Sequence, residues 1–308
     1  MSRPRRRLLR IELLTRTRDF LIARAAPSAF TARVQTNDIE VEDLAAFFHG
    51  WPVEAIQLGP RSERTLVSCN AFRSHRILRL EAGSALAIHG AVHKACSCVM
   101  LSASPDPAAR FVGKPMRVTD LLLAGAGARM SLFVPIAAIV FILIIPSGDI
   151  VAPRALHISD EGDGQGLIQY IKQHRNNGDG PLVCLLRDAV ATSRELKVAS
   201  ARVSAVMSAC RLIERKFPEI LTLNELSRHS GVSDRTLEYG FREVYGTTPL
   251  NFARSLRLTR SRVALLRARS YTPINEISSA FGYKHMGQYS RNYRRWFGET
   301  PSMTLART

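Results

Sequence analysis

Glu225-Leu226-Ser227, Gly231-Val232, Leu237, Phe241 and Gly246-Thr247-Thr248-Pro249 are answered further along by a second series. That series is Glu276-Ile277-Ser278, Gly282-Tyr283, Tyr289, Tyr293 and Gly298-Glu299-Thr300-Pro301. Glutamate to glycine is six residues in both copies, and the next two large apolar positions are four apart in both. Only the glycine-to-helix step differs, by one residue. A repeat of this kind is one supersecondary unit used twice. A short helix, a glycine turn and a second helix make it a helix-turn-helix.

The repeat sits in a strongly basic third of the chain. The 308 residues carry a net charge of +17, and from Ser200 onward 18 Lys/Arg stand against 8 Asp/Glu. Nearly all of those cations are arginines, whose planar fork suits phosphate and guanine. Such a balance points to a polyanionic partner. An apolar fraction of 46% is ample for packed cores and argues against general disorder. The length suits about two domains.

Within the first copy, Leu223 to His229 reads as a short helix with Asn224 as its cap. Gly231 turns the chain without a Cβ clash, and Ser233 caps the next helix. Leu237 and Phe241 face inward against Leu226 and Val232, which leaves Asp234, Arg235, Glu238, Tyr239 and Arg242 outward. In the second copy Pro273 opens a helix running through Ile277 to Phe281, and Gly282 turns. Tyr289, Tyr293 and Phe297 form the inner stripe. His285, Gln288, Arg291, Asn292, Arg294 and Arg295 point outward, where Gln can read adenine and Arg guanine. Between the copies, Pro249 to Ala268 is a basic helical rod of about 20 residues spanning roughly 30 Å. Arg257, Arg260 and Arg262 along it are candidates for phosphate contact or internal salt bridges. The rod places two reading helices on one face of double-stranded DNA.

These features are similar to the DNA-binding domain of AraC/XylS-type bacterial transcription regulators. The resemblance covers about Ala205 to Leu305 and rests on the two Gly-x-Thr-Pro sequences, the Arg257-Leu258 pair and the aromatic ladder. His285-Met286-Gly287-Gln288-Tyr289, with Tyr293, Phe297, Pro301-Ser302 and Leu305, looks more narrowly like the ethanolamine-operon regulator subgroup. The resemblance places Arg235, Glu238 and Tyr239 at base-reading positions of the first unit, and Met286, Gly287, Gln288, Ser290 and Arg291 at those of the second. Arg242, Arg257, Arg260, Lys284, Arg294 and Arg295 are the candidates for the DNA backbone. Ser227 and Ser278 depart from the family's usual alanine, Tyr239 stands where many members have arginine, and Gly287 has no side chain, so base preference is not inherited. The resemblance further implies an activator, an unidentified small-molecule effector, RNA polymerase as a partner and a homodimer as one arrangement, while the odd, unpatterned cysteines point to a reducing cytoplasm.

The remainder is expected to be β-rich. Strands are expected at Arg64–Ser68, His75–Leu80, Ala85–His89, Cys96–Leu101 and Thr119–Leu123, with breaks at Glu81–Ser84, Ser104–Pro107 and Gly125–Gly127. This suggests a barrel or sandwich, loosely similar to the family's cupin-like sensing domain, and Glu42 to Phe48 reads as a helical turn or two. Met130 to Pro146 has no charge but is too short for a membrane span and rich in β-branched residues. It reads as a buried strand, or as two strands across a tight bend. Ser159 to Gly166 reads as a flexible connector, Leu167 to His174 as a helix, and Leu182 to Val190 as a helix that packs on the barrel or forms a dimer seam. The expected fold class is thus α+β: residues 1–158 β-rich, 159–199 a helical linker, 200–308 an all-α double helix-turn-helix domain.

Five cysteines form no disulfide framework, and the basic Arg3–Arg10 arm lacks the apolar run of a signal peptide. His89, His93, Cys96 and Cys98 crowd together, yet their spacing matches no common zinc pattern. No metal, cofactor or catalytic set is expected. The alternative from another class is a cupin-like metalloenzyme domain with an attached DNA-tethering domain.

Overall fold

The computed structural model describes residues 34–48, 51–72, 75–106, 109–146, 156–159, 163–173, 180–195, 200–268 and 271–307. The Arg3–Arg10 arm lies outside them, as do residues 160–162 of the expected connector. The described chain divides into two compact units. One comprises Ile56–Arg61 and residues 200–307, the other the remaining residues up to 195.

The second of these units is built on two antiparallel sheets. Strands β1 (Val34–Ile39), β3 (Thr65–Ala71), β4 (Arg76–Glu81), β6 (Cys96–Ser102), β9 (Leu121–Ala124), β11 (Ile139–Pro146), β12 (Leu156–Ser159) and β13 (Arg194–Glu195) form one sheet in the order β1-β3-β4-β11-β6-β9-β12-β13. The other joins β2 (Val53–Gln57), β5 (Leu86–Ala91), β10 (Arg129–Val134), β7 (Arg110–Phe111) and β8 (Lys114–Pro115) in the order β2-β5-β10-β7-β8. The β-rich expectation therefore holds, with the strands divided between two antiparallel sheets. A 3₁₀ helix covers Val41–Phe48.

The apolar run from Met130 to Pro146 is two strands, and they do not pair with each other. Pro135 starts a bend closed by the Ala138 N–H donating to the Pro135 carbonyl at 3.1 Å, with Ala137 at φ 63°. The chain then crosses to the other sheet, where β11 lies between β4 and β6. Both faces of β11 are buried, which is why its sequence is continuously apolar rather than alternating. Phe141, Leu143 and Ile145 pack with helices α1 (Asp163–Gln173) and α2 (Gly180–Thr192). Val140, Ile142 and Ile144, alternating with them, are buried on the opposite face.

That packing corrects the reading of residues 159–199. Ser159 belongs to β12, and Asp163 to Gly166 begin α1 rather than a flexible connector. Leu167, Ile168, Ile171, Leu182, Leu186 and Ala189 share one apolar cluster with the sheet, so one face of these helices packs on it. Of the unforeseen strands, β7 and β8 have two residues each, and β2 carries the polar Glu54 and Gln57 within a buried strand.

The His/Cys crowding is dispersed by the topology. His89 lies on β5 in the five-stranded sheet, whereas Cys96 and Cys98 lie on β6 in the other. The His93 Nδ1 accepts from the Ala95 N–H at 3.2 Å in the intervening turn. Among the described residues no three His, Cys, Asp or Glu side chains converge on a point. Burial pushes the Cys69 thiol up to about 11 and that of Cys98 higher still, so both are protonated packing groups. Among the described residues no helix is long and apolar enough to cross a membrane.

Candidate nucleic-acid interface

Seven helices follow Ser200, and the sequence terminates each locally. They are α3 (Ala201–Lys216), α4 (Leu223–Ser230), α5 (Asp234–Tyr245), α6 (Pro249–Leu265), α7 (Ile274–Ala280), α8 (Met286–Phe297) and α9 (Pro301–Leu305). Each Gly-x-Thr-Pro sequence is the punctuation between two helices. Gly246 and Gly298 end α5 and α8 in the left-handed region at φ 65° and 75°. Thr248 and Thr300 then accept the N–H of Asn251 and Met303, each at 3.3 Å, and the prolines take the first helical positions.

The cap of α4 differs from expectation. Thr222, not Asn224, caps the helix, in a reciprocal box with Glu225. Asn224 instead accepts from Arg228 at 2.6 and 3.0 Å. Gly231 turns at φ 69° and Ser233 caps α5, as the spacing requires. Pro273 precedes α7 as its cap residue rather than lying within it, and the helix ends at Ala280.

Behind α5 and α8 lie two packed cores. Leu226, Leu237 and Phe241 are fully buried in the first unit, as are Ile277, Tyr289 and Tyr293 in the second. Phe241 meets Phe252 of α6 edge-on at 5.6 Å, while Tyr283, Tyr289, Tyr293 and Phe297 form a ladder at 4.8, 5.6 and 4.7 Å. The Tyr289 hydroxyl donates to the Ser261 Oγ at 3.3 Å, tying α8 to α6, and burial raises its pKa. Trp296, which sequence periodicity did not single out, is buried beside Phe297.

What remains outward is polar. On α5, Arg235 and Arg242 are exposed, Glu238 is half-buried and Tyr239 is 45% exposed. Arg235 and Tyr239 are linked: the guanidinium lies 5.5 Å over the ring and Nη2 donates to the Tyr239 hydroxyl at 3.1 Å. On and before α8, Lys284, Met286, Gln288, Arg291, Arg294 and Arg295 are exposed, Ser290 is half-buried, and Gly287 has open space where a Cβ would stand.

Both departures from alanine have a visible consequence. Ser227 of α4 bonds the Asp234 carboxylate, and the Ser278 hydroxyl of α7 lies 2.9 Å from the Met286 sulfur. In each unit a serine of the first helix thus touches the first residue of the second.

The rod arginines separate. α6 spans 17 residues, or about 25 Å, shorter than the reading to Ala268. Arg262 is fully buried, its Nη1 donating to Glu299 at 2.6 Å and to Tyr293 and Thr304 at 3.2 Å each. It is an internal ion pair, not a phosphate contact. Arg257 and Arg260 are half-buried against rings, 5.7 Å over Tyr283 and 4.4 Å over Phe217. Burial holds Arg257 below the ordinary arginine value, and the charge of Arg254 adds to this.

Gly240 is a functional position that the repeat did not reveal. A Cβ there would stand 2.7 Å from Val206 Cγ2 and 2.9 Å from Arg202 Cγ of α3, so glycine permits the close α3–α5 crossing. Gly240→Ala is expected to cost about 1–3 kcal/mol by overpacking. Urea denaturation checks this, and Val206→Ala in the same chain should recover part of the loss.

With this geometry in hand, comparison with known proteins is informative. Residues 226–307 match the family model described as a helix-turn-helix domain. The chain is 33% identical over 127 residues to a probable thc operon regulatory protein of Rhodococcus erythropolis, covering 41% of this chain and 38% of that one. It is 34% identical over 149 residues to a XylDLEGF operon transcriptional activator of Pseudomonas putida, covering 48% and 46%. It thus spans less than half the length of each of these relatives. A solved regulator from Chromobacterium violaceum, with an AraC-type DNA-binding domain, is 31% identical over 33% of this chain and 90% of its own, at a TM-score of 0.32. Residues 226–307 are accordingly a helix-turn-helix domain, and part of this chain is similar to regulators of operon transcription.

Proposed function

We propose that the chain is a sequence-specific regulator of transcription that reads double-stranded DNA with α5 and α8. The observation that carries this is the pairing of two helices, each ended by a left-handed glycine and each with a packed apolar stripe and an exposed polar face, on one helical rod. The N-terminal half of such a helix reaches base edges in the major groove. Arg235, Glu238 and Tyr239 are the readers in the first unit, and Met286, Gln288, Ser290 and Arg291 in the second. Because Arg235 is already bonded to Tyr239, the two present one combined surface rather than two independent readers. Arg242, Lys284, Arg294 and Arg295 flank these faces as backbone contacts. Arg257 and Arg260 can reach phosphate only at the expense of their ring contacts.

A rod of about 25 Å is shorter than the roughly 34–36 Å between successive major-groove faces. The DNA therefore bends toward the protein, and its deformability contributes to sequence choice. The likeness to operon activators supports activation and contact with RNA polymerase. The β-sandwich unit suits the sensing of a small-molecule effector or the holding of a second copy. The His285–Tyr289 ending supports a reading close to the ethanolamine-operon regulator subgroup.

Gln288→Ala or Arg291→Ala is expected to weaken binding to a specific site by about 1–3 kcal/mol while leaving random-DNA affinity nearly unchanged. Arg294→Ala should weaken binding to all sequences alike and lower the salt slope by about one. Genome-wide mapping of bound sites followed by competition binding checks both. Equal losses on specific and random DNA for Gln288→Ala would remove it from the readers.

A further inference from the structure

The C-terminal unit carries a recess that the reading faces do not use. A cavity of about 140 Å³ lies between the end of α3, the loop before α4 and the first turns of α6. Ile213, Phe217, Leu221 and Ala253 give it an apolar wall. Ile220 and Leu250 also line it and remain 59% and 41% exposed. Large apolar side chains grouped in this way mark a surface that something covers.

Its charge narrows what that something is. Arg254 and Arg257 stand one turn apart on the α6 side, so their guanidinium groups repel one another across the same recess. The Arg257 Nε is buried with no hydrogen-bond partner. Two cations beside an apolar wall suit a carboxylate attached to an apolar group. Glu219 lines the loop side, so an acid is favoured beside α6 and disfavoured opposite it, which orients the occupant.

We propose that this recess docks an acidic amphipathic helix of another protein, with one Leu- or Phe-sized anchor in the cavity and a neighbouring carboxylate on Arg254 and Arg257. The volume suits a single anchor, since a cavity of about 150 Å³ holds one benzene ring. A free small molecule of that size would leave Ile220 and Leu250 uncovered, whereas a helix lying across the groove covers both. A DNA phosphate satisfies the arginines but has no apolar group for the cavity. The outward faces of α5 and α8 contribute no residue to its lining.

Fluorescence anisotropy of the full chain tests this with labelled helical peptides of about 18 residues, long enough to hold helix. One set carries a Leu or Phe anchor flanked by Glu, a second replaces the anchor by Ala, and a third replaces the Glu by Gln. Loss of the anchor is expected to weaken binding about tenfold or more. The Gln set should bind more weakly and lose its salt dependence. Ile220→Ser, Leu250→Ser and Arg254→Glu, all at exposed positions, should each abolish most peptide binding and leave duplex DNA affinity unchanged. The proposal fails if no peptide binds, or if anchored and anchorless peptides bind alike. It also fails if Arg254→Glu loses DNA affinity, which assigns the surface to DNA, or if Ile220→Ser dissolves a dimer, which assigns it to a second copy. Loss of DNA reading with peptide binding intact would overturn only the proposed regulator function.

Discussion

Glu299→Ala is expected to cost about 3–5 kcal/mol of stability, the loss that follows when a buried ion pair is left with one partner. Arg262 has no exposed surface and Glu299 is 7% exposed, so water cannot replace the missing carboxylate. The guanidinium would keep its bonds to the Tyr293 and Thr304 hydroxyls but lose the charge that balances it. Chemical denaturation should show the loss, and the second reading helix should show it first, because Tyr293 belongs to α8. Glu299→Gln retains acceptor geometry and should lose less. Replacing both members with apolar residues of similar volume should recover most of the stability. A Glu299→Ala chain as stable as the parent would mean that the pair contributes nothing.

The same pair sets a pH dependence. Burial alone would raise the Glu299 pKa, but bonds from Thr304 and Arg262 and the charges of Arg262 and Arg307 outweigh it and hold the pKa below the ordinary 4.5. A carboxylate with a depressed folded pKa contributes stability above its unfolded value. That contribution is lost as pH falls through the folded value. The stability difference between parent and Glu299→Gln should therefore be constant above about pH 5 and shrink below pH 4.5. An unchanged difference at lower pH would contradict the assignment.

Ser261→Pro is expected to break the rod at a cost of about 3 kcal/mol or more. Proline removes the helix-interior bond to the Arg257 carbonyl and presses its ring against it. It also deletes the Ser261 hydroxyl, which donates to the Leu258 carbonyl at 2.8 Å and accepts from Tyr289 at 3.3 Å. The damage falls on the half of α6 that packs with α7 and α8, while Phe252 and Phe241 hold the first unit together nearer its start. The footprint on DNA should contract to a single half-site, with affinity down about a hundredfold. A footprint of unchanged length and strength would mean that the two readers do not depend on a continuous rod.

Much of the candidate interface was legible because its determinants are local. Gly231 and Gly282 turn where a left-handed residue is needed, Ser233 caps the helix it precedes, and the inner stripe of Leu237, Phe241, Tyr289 and Tyr293 follows helical periodicity. The Asn224 reading failed by two residues because Asn and Thr are both good caps. The reciprocal bond with Glu225 favours Thr222. Arg262 was less legible: an arginine on a basic rod reads as solvent-facing until Glu299, thirty-seven residues onward, is seen beside it.

Sequence alone determined the doubled helix-turn-helix, its basic character, which residues of each reading helix face outward, and the presence of short strands upstream. All of these depend on steric and periodic preferences acting over a few residues. Tertiary structure alone decided that β10 and β11 enter different sheets, that α1 and α2 cover one of those sheets, and that Arg257 and Arg260 lie on aromatic rings. It also decided that Arg262 is a buried clamp. An amphipathic pattern records that a face must be covered, whereas the covering residue comes from distant parts of the chain and is set only when the whole unit packs.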